Sequence, residues 1–253
     1  EGEENGQRNA CFDNGDRVSV GLPDAQLALA DAVMDACADV VVVLMGGSAI
    51  DPGESIRTRA HALIHAWYPG AVGGLAAAGL IAGQFSPSGR LPVTVYRCDE
   101  TLPAFTDYAM TGRTYRYLTH DPLYPFGFGL SYTSFAYENA SLSETVDGYD
   151  VTVTVRNTGG MCGVEKVQLY ASFRDSRTRT PNCQLCALCP VELAPGESRT
   201  VTLHAEQYWT EAVLADGRRT EADGGLFFHI GGHQPDARSK ALGLRDCLRL
   251  TAQ

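Results

Sequence analysis

Tyr149-Asp150-Val151-Thr152-Val153-Thr154-Val155 alternates apolar and polar residues from Val151 on. A period of two marks a strand with one face in a core and the other in water. Val164 to Ala171, Cys183 to Leu193, Ser198 to His204 and Gly225 to Ile230 read as further strands. Turn chemistry separates them at Asn157-Thr158-Gly159-Gly160, Ala194-Pro195-Gly196-Glu197, Asp216-Gly217 and Asp223-Gly224-Gly225. Short strands at this spacing predict an antiparallel β-sandwich.

Upstream of about Phe135 the rhythm changes. Pro23 through Ala38 carries apolar residues at helical spacing, with Pro23 suited to a first turn. Val40 to Met45 reads as a strand buried on both faces, as in a parallel sheet, and Gly46-Gly47 ends it. Ala60 to Trp67 predicts a short helix and then a strand over His61 to Ala66, before a turn at Tyr68-Pro69-Gly70. Ala71 to Ala82 reads as a small-residue helix and Leu91 to Val95 as another strand. The fold class is therefore α/β: a partial α/β sandwich domain followed by an all-β sandwich, with a junction near Leu130 to Tyr137.

Composition narrows the function. A hydrophobic fraction of 44% and a charged fraction of 20% are ordinary for a soluble globular protein. The net charge of −10 argues against nucleic acid, because phosphate binding needs a basic face. No apolar run approaches a membrane span, so no membrane partner is expected. The eight cysteines do not read as a disulfide framework in a chain of this length, which favours a cytoplasmic location with secretion as the alternative. Asn139-Ala140-Ser141 matches a glycosylation sequon, relevant only in a secreted eukaryotic protein.

Several features suggest chemistry only weakly. Cys183, Cys186 and Cys189 have a metal-like spacing, but inside a strand their side chains point to opposite faces. The histidines, His61, His65 and His120 among them, show no paired ligand spacing, so no metal is expected. Gly46-Gly47-Ser48 follows a strand as a phosphate loop would, yet lacks the Gly-Lys-Ser/Thr ending. Trp67, Tyr68, Tyr115 and Tyr117 could stack on sugars, although aromatics beside Pro and Gly pack at least as often.

Four ordered segments carry a family resemblance. They are Ala66-Trp67-Tyr68-Pro69 with Gly70-Ala71-Val72-Gly73-Gly74; Ser86-Pro87-Ser88-Gly89-Arg90-Leu91-Pro92-Val93-Thr94; Gly112-Arg113-Thr114-Tyr115-Arg116-Tyr117; and Tyr124-Pro125-Phe126-Gly127-Phe128-Gly129-Leu130-Ser131-Tyr132-Thr133. Together they resemble family-3 glycoside hydrolases of the β-glucosidase and β-xylosidase type. The stretch Leu102 to Tyr117 looks like the xylosidase branch. The later strands, with their Asn157-Thr158-Gly159 and Leu193-to-Ser198 turns, resemble the fibronectin type III-like domain that ends many such enzymes.

The resemblance implies a retaining exo-β-glycosidase that removes terminal glucose or xylose from β-linked oligosaccharides or glycosides, with no cofactor. Residues 1–134 would be the C-terminal α/β sandwich domain, truncated at its start, and 135–253 the fibronectin type III-like domain. In such enzymes a barrel supplies an aspartate nucleophile, and the sandwich supplies the general acid/base glutamate on a loop. The barrel is missing from this chain, which is therefore expected to be inactive alone and to need that domain as partner. Tyr115, Tyr117, Tyr124 and Phe126 would form an exposed patch for it. Glu1 to Arg17, then Leu22-Pro23 and Gln26, resembles the acid/base segment and makes Glu3 the first candidate and Glu1 the second. On residue pattern alone the same glutamates read as a solvated acidic end. Two other functions remain: a non-catalytic carbohydrate-binding or interaction module, and a nucleotide-binding α/β domain.

Overall fold

Val151, Val153 and Val155 are fully buried, while Thr152 and Thr154 on the other face reach across to Thr202 and Thr200 at 2.8 and 3.0 Å. This alternation organises the larger half of the molecule in the computed structural model, which describes residues 19–98, 103–104 and 106–252 and the backbone of 12–13 and 16–17. The chain forms two compact units. Unit one takes the described residues of Glu1–Ile81 and Val95–Tyr108, and unit two takes Ala82–Thr94 and the described residues of Ala109–Gln253.

Unit one begins with a two-strand hairpin, β1 (Phe12–Asp13) and β2 (Asp16–Arg17), in which Asp13 pairs with Asp16. Helix α1 (Asp24–Ala36) starts directly after Pro23, whose missing N–H costs nothing at a helix start. Strand β3 (Val41–Leu44), helix α2 (Glu54–Arg59), strand β4 (Ala62–His65) and helix α3 (Gly73–Ile81) follow. Strands β3 and β4 are parallel and in register from Val41 opposite Ala62 to Leu44 opposite His65. Arg59 joins the two helices by pairing with Asp31 at 3.3 Å and with Asp35.

Three sequence expectations change here. The helix before β4 lies earlier than expected, over Glu54–Arg59, because Gly53 at φ 83° opens it. Strand β3 is not buried on both faces: Leu44 is 7% exposed but Val41 is 40% exposed. Among the described residues β3 has one ladder neighbour, β4. Leu91 to Val95 forms no strand. Pro92 cannot donate, and Leu91 instead exchanges hydrogen bonds with Phe128 and Gly127 at 2.8 and 2.7 Å.

Unit two contains a short helix, α4 (Thr114–Tyr117), and then the sandwich. One sheet orders β5 (Phe135–Thr145), β6 (Gly148–Asn157) and β9 (Ser198–Glu206). The other orders β13 (Leu248–Thr251), β12 (Gly225–Gly231), β7 (Gly163–Arg174) and β8 (Gln184–Leu193). A small hairpin, β10 (Glu211–Val213) with β11 (Arg219–Glu221), and helix α5 (Ala237–Ala241) complete it. Val167, Leu169, Val191, Leu203, Phe228 and Ile230 fill the space between the sheets with the β6 valines. This is the antiparallel sandwich expected from the alternation. Strands β5 and β13 were not anticipated. In β5 a bulge between Glu138 and Ser141, with Asn139 at φ 55°, interrupts the period and hides it.

Two of the family motifs, Ser86 to Thr94 and Tyr124 to Thr133, prove to be fastenings of unit two. Asn157 is fully buried, accepts from Thr133 Oγ1 at 2.6 Å and donates to the Leu193 carbonyl at 3.0 Å. Arg90 donates to Glu165 at 2.8 Å and to the Gly232 carbonyl at 3.2 Å, and Tyr137 Oη donates to Glu165 at 2.7 Å. Gly127, at φ 77°, leaves the space in which Gln168 donates to its carbonyl; an added Cβ would sit 2.5 Å from Gln168 Oε1. The four aromatics expected to form an open patch are packed instead. Tyr115 stacks on Phe126 at 4.3 Å and meets Tyr170 edge-on, Tyr124 stacks on Phe128, and Arg179 covers Tyr117. The exposed large apolar side chains include Val72 and Leu75 of unit one, at 69% and 76% exposure.

Two outcomes follow for stability. Glu165→Gln leaves the Arg90 guanidinium buried without its counter-ion, so unfolding stability should fall by about 3–5 kcal/mol. Urea unfolding checks this, and a loss below about 1 kcal/mol would mean that the pair behaves as a surface one. His229, bonded to Ser172 at 2.9 Å, is held down to about 4 by burial and then by Arg249 and Arg174. Its folded value lies below the ordinary 6.5, so its contribution is complete above about 6.5 and is lost as pH falls towards about 4. His229→Gln should flatten the decline in stability across that window; an unchanged slope would remove His229 as its source.

Candidate functional site

Parallel strands β3 and β4 end side by side, and the loops beyond their carboxyl ends are where open α/β sheets place ligands. The loop after β4 is held close to that after β3, with Ala66 N donating to Leu44 O at 2.8 Å and Gly46 N donating to Trp67 O at 3.3 Å. Trp67 sits at φ 53°, a left-handed conformation costing about 1–2 kcal/mol in a non-glycine residue. Its indole stacks on the His65 imidazole with centroids 4.0 Å apart and planes 14° apart. Tyr68 passes so close to Gly47 that an added Cβ would lie 2.5 Å from its ring, yet Tyr68 remains 68% exposed.

His65 carries an unusual feature. Burial holds its imidazole below the ordinary range, opposed by a hydrogen bond to the Gly46 backbone. Its Nε2 is buried and has no hydrogen-bond partner among the described residues. An imidazole with an unmatched nitrogen therefore stands at the end of β4, beside a strained tryptophan.

Asp51 anchors the chain that leads here from the acidic segment. It lies on the connection from β3 to α2 and is 2% exposed. Its Oδ1 accepts from Gly53 N and its Oδ2 from Cys98 N, both at 2.9 Å, with Arg57 Nε 3.7 Å away. Its own N donates to Val20 O at 2.9 Å, and Gly21 bridges to it in parallel. Residues 19–21, just after the candidate acid/base segment, are thus fastened beyond the carboxyl end of β3. Glu1 and Glu3 themselves lie outside the described residues.

The remaining candidates separate clearly. Among the described residues, no group of three His, Cys, Asp or Glu side chains could hold a metal ion. Cys183, Cys186 and Cys189 are free, and burial pushes the Cys186 thiol up to about 12, so it is unreactive near neutrality. Gly46-Gly47 does not open a helix, since α2 begins only at Glu54, and Tyr68 covers Gly47; this argues against the phosphate-loop reading. No described helix is long and apolar enough to cross a membrane. Asp51 and the His65–Trp67 pair went unrecognised in the sequence. The available signal was the two-residue spacing from His65 to Trp67, which puts both rings on one side of the strand end.

Residues 2–132 match the glycosyl hydrolase family 3 C-terminal domain, and residues 165–234 match the fibronectin type III-like domain. A xylan 1,4-β-xylosidase of Xylanibacter ruminicola is 43% identical over 172 residues, covering 67% of this chain and 20% of that protein. A periplasmic β-glucosidase of Salmonella typhimurium is 31% identical over 220 residues, covering 79% of this chain and 29% of that protein. Among solved structures, the β-glucosidase DesR of Streptomyces venezuelae, in complex with D-glucose, superposes with a TM-score of 0.78 at 30% identity, over 95% of this chain and 32% of its own. The chain thus spans between a fifth and a third of the length of these relatives. The fold, the motif fastenings and these matches agree: the chain belongs to glycosyl hydrolase family 3 and carries its C-terminal domain with a fibronectin type III-like domain.

Proposed function

We propose that this chain is the acid/base-bearing C-terminal portion of a retaining exo-β-glycosidase that removes terminal β-linked xylose or glucose. The observation that carries the proposal is the fastening of residues 19–21 to Asp51, on the connection that follows β3. In this reading Glu3 is the general acid/base and Glu1 a neighbour that tunes the loop. The nucleophilic aspartate comes from a barrel outside these 253 residues. The division into an α/β domain over 1–134 and a fibronectin type III-like domain over 135–253 belongs to the same proposal.

Retention needs two carboxyl groups because it needs two displacements. One carboxylate attacks the anomeric carbon, while the other carboxylic acid protonates the departing oxygen. The second group, now a carboxylate, then takes a proton from the attacking water. It must hold its proton until substrate arrives, so its pKa has to be raised when the loop closes over an apolar surface. Xylose is favoured over glucose by the 43% identity to a xylan 1,4-β-xylosidase, against 31% to a β-glucosidase. Free thiols at Cys37, Cys162 and Cys247 fit a reducing compartment, whereas one relative is named as periplasmic.

The test uses Glu3→Gln in the full-length enzyme. Substrates with poor leaving groups should slow by about 10²–10⁴, because they need protonation. Aryl glycosides with good leaving groups should form the intermediate readily and then stall, and azide should restore turnover and yield a β-glycosyl azide. Glu1→Gln should be milder. Azide rescue in Glu1→Gln alone would move the assignment to Glu1. Rescue in neither variant would favour a non-catalytic module with a solvated acidic end.

A further inference from the structure

A catalytic acid carried on a loop must be held in place, because a misplacement of about 1 Å can cost about 10²-fold in rate. Residues 19–21 supply a fixed end for the proposed acid/base segment. Asp51 N donates to Val20 O at 2.9 Å, Gly21 bridges to Asp51 in parallel, and Gly21 N donates back to Ser19 Oγ at 3.1 Å. Helix α1 follows at once through Pro23, whose carbonyl accepts from Gln26 N and Leu27 N at 2.9 and 3.1 Å. On the other side Arg17, just before the fixed residues, pairs with Phe12 across the β1–β2 hairpin.

The buried Asp51 side chain ties this end to two further points. Its Oδ1 accepts from Gly53 N and its Oδ2 from Cys98 N, both at 2.9 Å. Gly53 lies against α1, where an added Cβ would come 3.1 Å from Leu27 Cδ2. Cys98 lies against the fixed residues themselves: a Cβ on Gly21 would come 3.1 Å from Cys98 Cβ. Both carboxylate oxygens therefore accept from backbone N–H groups. An asparagine could serve only one of them, since its NH2 would meet the other N–H donor against donor. It would also remove the negative charge 3.7 Å from Arg57 Nε. The β3–β4 ladder, Val41 to Leu44 with Ala62 to His65, shares none of these hydrogen bonds.

We infer that Asp51 is a positioning residue for the proposed hydrolysis: it holds the fixed end of the segment that carries the catalytic acid. The inference rests on the reading of that segment as the acid/base segment, but not on which of its glutamates reacts. Asp51 acts through the segment and touches no substrate. Its loss should therefore weaken proton transfer and leave the attack of the nucleophile intact.

Asp51→Asn in the full-length enzyme tests this. Formation of the intermediate from β-xylosides with poor leaving groups should slow by about 10–10²-fold, while aryl glycosides with good leaving groups should form it at the unchanged rate. The readout is the ratio between the two substrate classes, because a smaller folded fraction would lower both by one factor. If Asp51→Asn fails to fold, Gly21→Ala presses on Cys98 and should shift the ratio in the same direction. Adding Cys98→Gly to Gly21→Ala removes the crowded Cβ and should restore it. Folded variants that slow both classes equally, or slow neither, would overturn the inference. Glu3→Gln keeps the two readings apart. Selective slowing in Glu3→Gln but not in Asp51→Asn would leave the assignment of Glu3 standing and remove Asp51. Selective slowing in Asp51→Asn but in neither Glu3→Gln nor Glu1→Gln would keep Asp51 and move the acid to another residue of the segment.

Discussion

Asp51 ties three stretches of unit one together, its carboxylate holding its own turn and Cys98 and its backbone holding Val20 and Gly21. Gly53 N and Cys98 N donate to the carboxylate at 2.9 Å each. A buried carboxylate without partners is costly, and each of these donors removes part of that cost. The chain arriving from the acidic segment therefore has one stable route, beyond the carboxyl end of β3. The half-buried His65 ends β4 and the strained Trp67 turn follows it, so both lie at the end of the parallel pair from which the Asp51 loop departs.

Unit two solves a different problem. Its valine-rich sheets would close on each other with any compatible connections, but the buried polar contacts select one arrangement. Arg90, Glu165 and Tyr137 satisfy each other where each alone would be unfavourable, and Asn157 does the same for a turn. This explains why the Ser86-to-Thr94 and Tyr124-to-Thr133 motifs travel together: the Ser86 and Ser131 hydroxyls meet at 2.8 Å, and Thr133 bonds to Asn157. A motif that looks like a functional signature here holds a fold together.

The sandwich was legible because alternation is a local signal, and β6, β9 and β12 bury mainly one face. Strand β5 was not, because its bulge at Asn139 breaks the period. Leu91 to Val95 misled for the opposite reason: β-branched residues promised a ladder that Pro92 withholds. The aromatic run from Tyr115 to Phe126 showed hydrophobicity but not its destination, since stacking on Phe126 and Tyr170 is a tertiary event. Asp51 went unrecognised because no local pattern reveals which loop carboxylate will be buried.

The central proposal is that the catalytic acid of the whole enzyme lies in the acidic segment that precedes the residues fastened by Asp51. An N-bromoacetyl β-xylosylamine places an alkylating group beside that acid, and peptide mapping of the labelled full-length enzyme identifies the residue that reacts. The account predicts an ester on Glu3, within the tryptic peptide ending at Arg8. A label on His65, or on any residue after Arg17, would contradict it.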